Sequence, residues 1–201
     1  MNSPIDWLVC MPVSTDGLKE ALSQDESIPT QELISHPLVV GPRSHMEMAV
    51  LYTHFGEEQV GLSIPHDGSA IMTFHMPFLP TSRGSITLKS ANPEDMPAID
   101  PNYFASEADK YVLRVAWRTQ SNLMQTSTGK EMVSEEIVPP GHEDITGETD
   151  EEIDKRIKVG LGTAFHPAGT AAMGKVVDGS LKVYGTENLR VVDASVVSGE
   201  L

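Results

Sequence analysis

The sequence predicts an α+β fold, a mainly antiparallel sheet with flanking helices. Short apolar runs of strand length at Met46–Leu51 and 60–64 are the first sign of a sheet. Residues 70–76 alternate strictly between two sides, which is typical of a strand in a sheet with one covered face. Helix-start residues at Ser106 and Thr149 are the third observation, and they place helices in the later half of the chain.

The remaining early segments are assigned from their turn formers. Residues 14–37 are polar and rich in Ser, Asp, Glu and Pro, so we predict a loop with only a short helix at 18–22. Gly84 precedes residues 85–89, which we interpret as another strand. Residues 91–102 contain three prolines, which predicts an extended, turn-rich connection.

Two later segments carry complete helix-start patterns. Ser106 is placed to cap a helix whose first turn holds Glu107 and Asp109, and carboxylates are favourable at a helix N-terminus. Thr149, followed three residues later by Glu152, has the form of a capping box. We therefore predict two amphipathic helices, and no metal is needed to explain the acidic residues at their starts.

Composition and charge limit the classes of function. The chain has 201 residues, 39% of them hydrophobic and 21% charged, which is a globular composition. Its formal net charge of -15 opposes binding to phosphate backbones and anionic lipid, so no nucleic-acid or membrane partner is expected. No basic leader and no apolar run of membrane-spanning length are visible, so a cytoplasmic location is the default expectation. The single cysteine, Cys10, is expected to be a buried small hydrophobe.

The histidines of the first half show no metal-ligand spacing. His45, His54, His66 and His75 lie in the sheet region without a matching carboxylate pattern. We interpret each of them as a surface histidine or a hydrogen-bonded core histidine. His142 lies in an acidic loop and is interpreted as solvated. No metal site is predicted from these residues.

His166 lies in a different context, in the segment Phe-His-Pro-Ala-Gly-Thr-Ala-Ala-Met-Gly at 165–174. The proline after it holds the backbone in a fixed conformation, and the small residues that follow allow the backbone to approach a flat or bulky group. These residues alone are equally typical of a tight, Gly-rich turn before a strand. The choice between these two interpretations depends on the rest of the chain.

Five motifs occur in one order along the chain. They are Ser-Arg-Gly-x-Ile at 82–86, Pro-x-Ile-Asp-Pro-Asn-Tyr at 97–103, His-Pro-x-Gly-Thr at 166–170, Val-Tyr-Gly at 183–185 and Leu-Arg-Val-x-Asp-Ala-Ser at 189–195. This succession resembles the glucose–methanol–choline (GMC) family of flavin-dependent oxidoreductases. The resemblance is specific over about 77–195 and weak over 1–76. Its overall character is similar to the family's dehydrogenases of secondary metabolism.

The resemblance implies a fold and a reaction. It implies the family's substrate-binding domain over 1–163, and a segment at 164–201 that carries the catalytic histidine and one edge of the FAD domain. It implies FAD as cofactor and a small-molecule alcohol as substrate, which is oxidised by hydride transfer to the flavin. By motif position His166 is the catalytic residue that helps to take the hydroxyl proton. Four further residues are implied to lie near the cofactor: Gly169, Thr170, Asp193 and Ala194.

Two parts of the family pattern have no counterpart in these residues. The Gly-x-Gly-x-x-Gly turn that holds the cofactor pyrophosphate is absent, and the nearest match, 160–162, follows a helix and lacks the third glycine. The family continues past Asp-Ala-Ser into a proline turn and a second catalytic residue, but this chain has Ser198 in place of the proline. A further chain or segment is therefore expected to supply the rest of the FAD site.

Three functional hypotheses follow. In the first, the chain belongs to an FAD-dependent alcohol dehydrogenase or oxidase that acts through His166. In the second, it is a non-catalytic binding module or an inactive fragment derived from such an enzyme. A third, a metal-binding protein that uses the histidines and the acidic loop, has no support from residue spacing.

Overall fold

The structure is a computed structural model, and it describes residues 5–143, 147 and 149–198. In the described chain, strands predominate in the first half, with an α-helix between the first two of them, and helices follow in the second half. The strands, in chain order, are β1 Ile5–Met11, β2 Met46–Leu51, β3 Met72–Pro77, β4 Ser85–Thr87 and β5 Ala98–Asp100. The helices are α1 Thr15–Glu26, α2 Glu107–Gln125, α3 Ser127–Met132 and α4 Asp150–Gly160.

The chain forms two compact units. The first comprises Met1–Thr81 and Phe104–Leu161, and the second comprises Ser82–Tyr103 and Gly162–Leu201. The second unit therefore combines the C-terminal segment with a stretch from the middle of the sequence. The functional division at residues 163 and 164 stays a prediction.

The first unit contains a three-stranded antiparallel sheet in the order β1-β2-β3. The antiparallel α+β fold expected from the sequence is confirmed. The strand expected at 60–64 is wrong: Glu57–Val60 forms a 3₁₀ turn instead. Gly56 and Gly61 flank this turn with φ of 76° each, a left-handed conformation that interrupts an extended strand.

Strand β1 is the edge strand that the sequence patterns missed. It pairs with β2 alone among the described strands, and its register shifts between Ile5 and Leu8. Cys10 is exposed on this strand, so its expected burial is wrong. An edge strand has one unpaired side, and alternate side chains along it point away from the core.

The core of the first unit lies between the sheet and helices α1 and α2. Helix α1 is longer than the short helix expected, because Leu18, Ala21 and Leu22 form one buried stripe at helical spacing. The hydrophobic cluster that they share also takes in buried residues of the sheet, of α2 and of the segments between them: Val13, Leu33, Leu38, Met46, Met48, Ala108, Val112 and Ala116.

Helix α2 begins where the sequence predicts. The Ser106 side chain accepts a hydrogen bond from the backbone N–H of Asp109, as an N-cap does. The Asp25 carboxylate accepts two more, from the backbone N–H groups of Glu107 and Ala108, at 2.7 and 2.9 Å. These contacts satisfy amides that have no partner inside the helix, and they join the end of α1 to the start of α2.

Helix α4 also begins as predicted. The capping box is complete: Thr149 accepts from the backbone of Glu152, and the Glu152 side chain accepts from the backbone of Thr149. Arg114 of α2 donates two hydrogen bonds of 2.6 Å to the Asp154 carboxylate, a bidentate pair that fixes α4 against α2. Ile153, on the same helix, is fully buried.

In the second unit, β4 and β5 form a short antiparallel pair. Strand β5 lies inside the stretch where three prolines predicted a turn-rich connection. A proline-rich connection can contain this strand because the strand is only three residues long. A Cβ at Gly84 would lie 2.3 Å from the backbone oxygen of Asp100, so only glycine allows this close approach.

We expect the stability of the chain to depend on pH through one histidine, His75. His75 lies on β3, and burial lowers its pKa from 6.5 to about 4. Its Nε2 atom is buried without a hydrogen-bond partner among the described residues. Between pH 6.5 and 4 the unfolded chain binds a proton here that the folded chain does not. Stability therefore falls as the pH drops through this window, by up to about 3 kcal/mol.

Urea unfolding at pH 7 and pH 4.5, on this chain and on His75→Phe, measures the effect. The variant is expected to lose less stability at the lower pH, by about 2–3 kcal/mol, because phenylalanine has no proton to bind. Carboxylates that titrate in the same range act equally on both proteins and cancel in the comparison. Equal losses in the two proteins would contradict the buried neutral state of His75.

Candidate functional site

The predicted site residues of the second unit lie on two backbone segments that run side by side. The N–H of Gly169 donates to the carbonyl of Ala194 at 3.4 Å, and the N–H of Ala171 donates to the carbonyl of Ser195 at 2.9 Å. A third bond continues the pattern two residues further on, between Met173 and Val196, at 3.0 Å. The structure thus brings together Gly169 and Ala194, which are 25 positions apart in the sequence.

Glycine at position 169 is required by this arrangement. Its φ is +83°, a left-handed conformation that other residues rarely adopt. A Cβ built there would lie 3.4 Å from the carbonyl oxygen of Val197. That distance is an ordinary van der Waals contact, so the left-handed backbone conformation, and not a lack of space, favours glycine here.

His166 lies on the exposed surface of the second unit. Its imidazole makes no hydrogen bond to any residue that the structure describes. The preceding residue, Phe165, has a φ of +61° and is 80% exposed, and its N–H donates to the Thr163 hydroxyl. With Pro167 on the other side, the backbone around the imidazole is constrained while the ring itself is open to solvent.

Asp193 has a local structural role. Its Oδ1 accepts hydrogen bonds from the backbone N–H and the hydroxyl of Ser195, and these bonds lower the pKa of its carboxyl. They cap a 3₁₀ turn at Ala194–Val196. The motif at 189–195 thus forms no named strand: an isolated bridge joins Arg190 to Lys182, and the capped turn follows it.

A short hairpin precedes this turn in the chain. Val177 and Val183 pair antiparallel, and Val177 is fully buried. The Asp178 carboxylate accepts from the backbone N–H groups of Ser180 and Lys182, which lower its pKa and close the turn. This hairpin gives the second unit its buried centre.

The second unit leaves many large apolar side chains in solvent. Leu88 is 86% exposed, Phe165 80% and Val192 73%. The others exposed in this unit are Ile86, Met96, Ile99, Tyr103, Met173, Val176, Tyr184, Leu189 and Val197. Exposed apolar side chains in such number are typical of a surface that another protein part or a ligand covers.

In the first unit, the structure brings together three side chains that the sequence did not connect. His54, Glu57 and His66 lie with their ligand-type atoms within 4.8 Å of one another. By contrast, His45 is the hydrogen-bonded core histidine that was expected: its Nε2 donates to the carbonyl of Leu38, and its Nδ1 accepts from the N–H of Val13.

A comparison with known protein families decides the family. The model of the C-terminal part of GMC oxidoreductases matches residues 80–200. The chain belongs to the GMC oxidoreductase family. The resemblance carried by the five sequence motifs is therefore confirmed. GMC oxidoreductases are FAD-dependent enzymes.

Individual GMC relatives extend the match to nearly the whole chain. A GMC-type oxidoreductase of Aspergillus aculeatus, acuG, is 38% identical over 98% of this chain and 37% of its own length. The mitochondrial choline dehydrogenase of Mus musculus is 39% identical over 60% of this chain and 21% of its own. A solved structure of Aspergillus oryzae formate oxidase, a variant studied for its FAD modification, superposes with a TM-score of 0.77. It is 28% identical and is matched over 97% of this chain and 34% of its own.

The chain therefore spans roughly a third, or less, of the length of the relatives that it matches.

Within the described residues, no helix is both long and apolar enough to cross a membrane.

The small residues after His166 are compatible with the predicted contact to the flat ring system of the GMC cofactor, and this contact stays a prediction. The pyrophosphate end has no match, because these 201 residues contain no Gly-x-Gly-x-x-Gly turn.

Proposed function

We propose that this chain is the C-terminal part of an FAD-dependent oxidoreductase that oxidises the CH–OH group of a small-molecule alcohol. The rest of the FAD site is supplied by a further segment or chain. The observation that carries the proposal is the pairing of the 169–173 and 194–196 segments, which gathers Gly169, Thr170, Asp193 and Ala194 in one place. The exposed apolar surface of the second unit supports a covering part.

In the proposed reaction His166 acts on the substrate hydroxyl. Bound FAD supplies the acceptor for the hydride that leaves the alcohol carbon. The imidazole accepts the hydroxyl proton as the hydride leaves, since an imidazole exchanges protons near neutral pH. The exposed ring can reach a substrate, and the rigid Pro167 limits its movement. With FAD bound, Gly169 and Thr170 would lie beside the flavin ring, where small residues let the backbone come close.

A second candidate function is a non-catalytic module derived from such an enzyme. It is favoured by the absence of any hydrogen-bond partner for the His166 imidazole in the part of the chain that the structure describes. It is also favoured by Ser198, which stands where the family has the proline before its second catalytic residue. The two candidates differ in whether a flavin-loaded form turns over alcohols.

A chimera separates them. The matching C-terminal region of the Aspergillus aculeatus relative, 38% identical, is replaced by this chain, and the protein is purified with added FAD. We expect flavin to co-elute with the chimera and not with the 201-residue chain alone, because the phosphate-binding turn is present only in the chimera. Alcohol oxidation by the chimera, assayed on a panel that includes choline, supports the enzyme. A flavin-loaded chimera without turnover supports the module.

A further inference from the structure

The cluster of His54, Glu57 and His66 lies in the connection between β2 and β3, within the first unit and apart from the residues of the predicted flavin site in the chain. Glu57 opens the 3₁₀ turn at Glu57–Val60, three residues after His54. His66 follows nine residues later and returns to the same place, where its ring stacks on that of His54 with centroids 4.0 Å apart. Neither histidine has a role in the proposed oxidation.

The protonation of His54 follows from its surroundings. Its Nε2 lies 3.3 Å from the carbonyl oxygen of Pro65, and a carbonyl oxygen can only accept. Nε2 therefore carries the proton, and in the neutral ring Nδ1 has a free lone pair. Metal-binding histidines show this arrangement, with one ring nitrogen donating to a backbone carbonyl and the other facing the metal.

The lone pair of His54 faces a carboxylate. Nδ1 lies 3.0 Å from Oε1 of Glu57, yet Nδ1 and the Glu57 Oε2 atom are both buried without a hydrogen-bond partner among the described residues. The His54 side chain is only 6% exposed and that of Glu57 14%. His54 Nδ1 is therefore available to an ion, and the Glu57 carboxylate lies close enough to bind the same ion.

The distances agree with a zinc-type ion. Zinc–nitrogen and zinc–oxygen bonds of about 2.0–2.2 Å at a tetrahedral angle place two ligand atoms about 3.4 Å apart. The separations from Glu57 Oε1 are 3.0 Å to His54 Nδ1 and 3.5 Å to His66 Nε2, on either side of that value. The His66 side chain is 66% exposed, so the site is open on one side to water as a fourth ligand.

The charges of the cluster favour a cation. The Glu57 carboxylate supplies the negative charge of the cluster and lies within 3.5 Å of both imidazoles. Two imidazoles and one carboxylate form a donor set suited to divalent transition metals and poorly suited to Mg²⁺ or Ca²⁺.

We propose that His54 Nδ1, Glu57 Oε1 and His66 Nε2 bind one divalent transition-metal ion of the Zn²⁺ type. The ion joins the two ends of the β2–β3 connection, because His54 lies near the end of β2 and His66 near the start of β3. Bound there, it stabilises a stretch that holds only one short 3₁₀ turn of regular structure.

The test uses the 201-residue chain, purified without a histidine tag and freed of metal with a chelator. Titration calorimetry with Zn²⁺ is expected to show one strong site per chain, and a large excess of Mg²⁺ or Ca²⁺ should leave it unchanged. Co²⁺ is expected to bind with the visible absorption bands of a low-symmetry site, and Zn²⁺ should abolish those bands. No strong Zn²⁺ binding by this chain would overturn the proposal.

Matched variants locate the ion. Glu57→Gln keeps the shape of the side chain and removes its charge, and His66→Ala alters a largely exposed residue that leaves the core intact. Each is expected to weaken Zn²⁺ binding at least about 100-fold, since loss of a residue that only hydrogen-bonds to a metal ligand already costs about 10- to 100-fold. His142→Ala, a histidine outside the cluster, should bind as the parent does. Unchanged affinity in Glu57→Gln and His66→Ala, or loss in His142→Ala, would show adventitious binding elsewhere and overturn the proposal.

Discussion

Replacing Leu22 with alanine is expected to lower the free energy of unfolding of the first unit by about 2–5 kcal/mol. Leu22 lies on α1 and is fully buried, in the hydrophobic cluster that also contains Leu18, Met46 and Val112. Truncation removes three carbons from this cluster and leaves a cavity, because helix and sheet close over it only in part. Urea unfolding followed by circular dichroism measures the change.

Ile34→Ala is the matched control for this variant. Ile34 is also aliphatic and lies in the same unit, but it is 72% exposed. Its truncation is expected to change the free energy of unfolding by no more than about 0.5 kcal/mol. Similar losses in Leu22→Ala and Ile34→Ala would mean that α1 does not close the core, and the packing described for the first unit would then be wrong.

The helices that the sequence predicts correctly begin with chemistry contained in a few consecutive residues. Ser106 caps α2, and Thr149 with Glu152 forms the capping box of α4. A cap depends on the contact between one side chain and an amide two or three residues away, so it can be recognised without knowledge of the tertiary structure. The two helix starts are therefore confirmed to the residue.

The errors fall where structure depends on distant residues. Strand β1 is defined by its pairing with β2, 35 or more positions later in the chain, and β5 by its pairing with β4 across two prolines. The apolar residues at 60–64 have strand composition but no partner strand, and two left-handed glycines hold this stretch in a turn. Pairing of this kind follows from tertiary context, which local composition does not contain.

The two sites differ in the same way. The motif around His166 is contiguous, so the sequence marks it directly, and the family it indicates is confirmed. The cluster of His54, Glu57 and His66 has no such mark, because a 3₁₀ turn and a returning loop bring its members together. A His-x-x-Glu pair on one turn was the available sign, and it is too common to predict a ligand set without the third residue.

The largest effect on activity is expected at His166. In the flavin-loaded chimera, His166→Ala is expected to lower kcat for alcohol oxidation by a factor of about 10²–10⁴, the range typical of a lost acid or base group. Flavin content should be unchanged, because the imidazole is exposed and makes no hydrogen bond to any described residue. Steady-state kinetics and flavin absorbance of parent and variant, measured side by side, give both quantities.

Two further variants make this result specific to proton transfer. His166→Gln keeps a polar side chain that does not titrate near neutral pH, so it should be nearly as slow as alanine if the imidazole takes the hydroxyl proton. His142→Ala removes a histidine outside the motif and should leave kcat unchanged. If His166→Ala turns over alcohols at the parent rate, the histidine has no part in the chemistry. The 166–170 motif would then act only through its backbone at Gly169, by contact with the flavin.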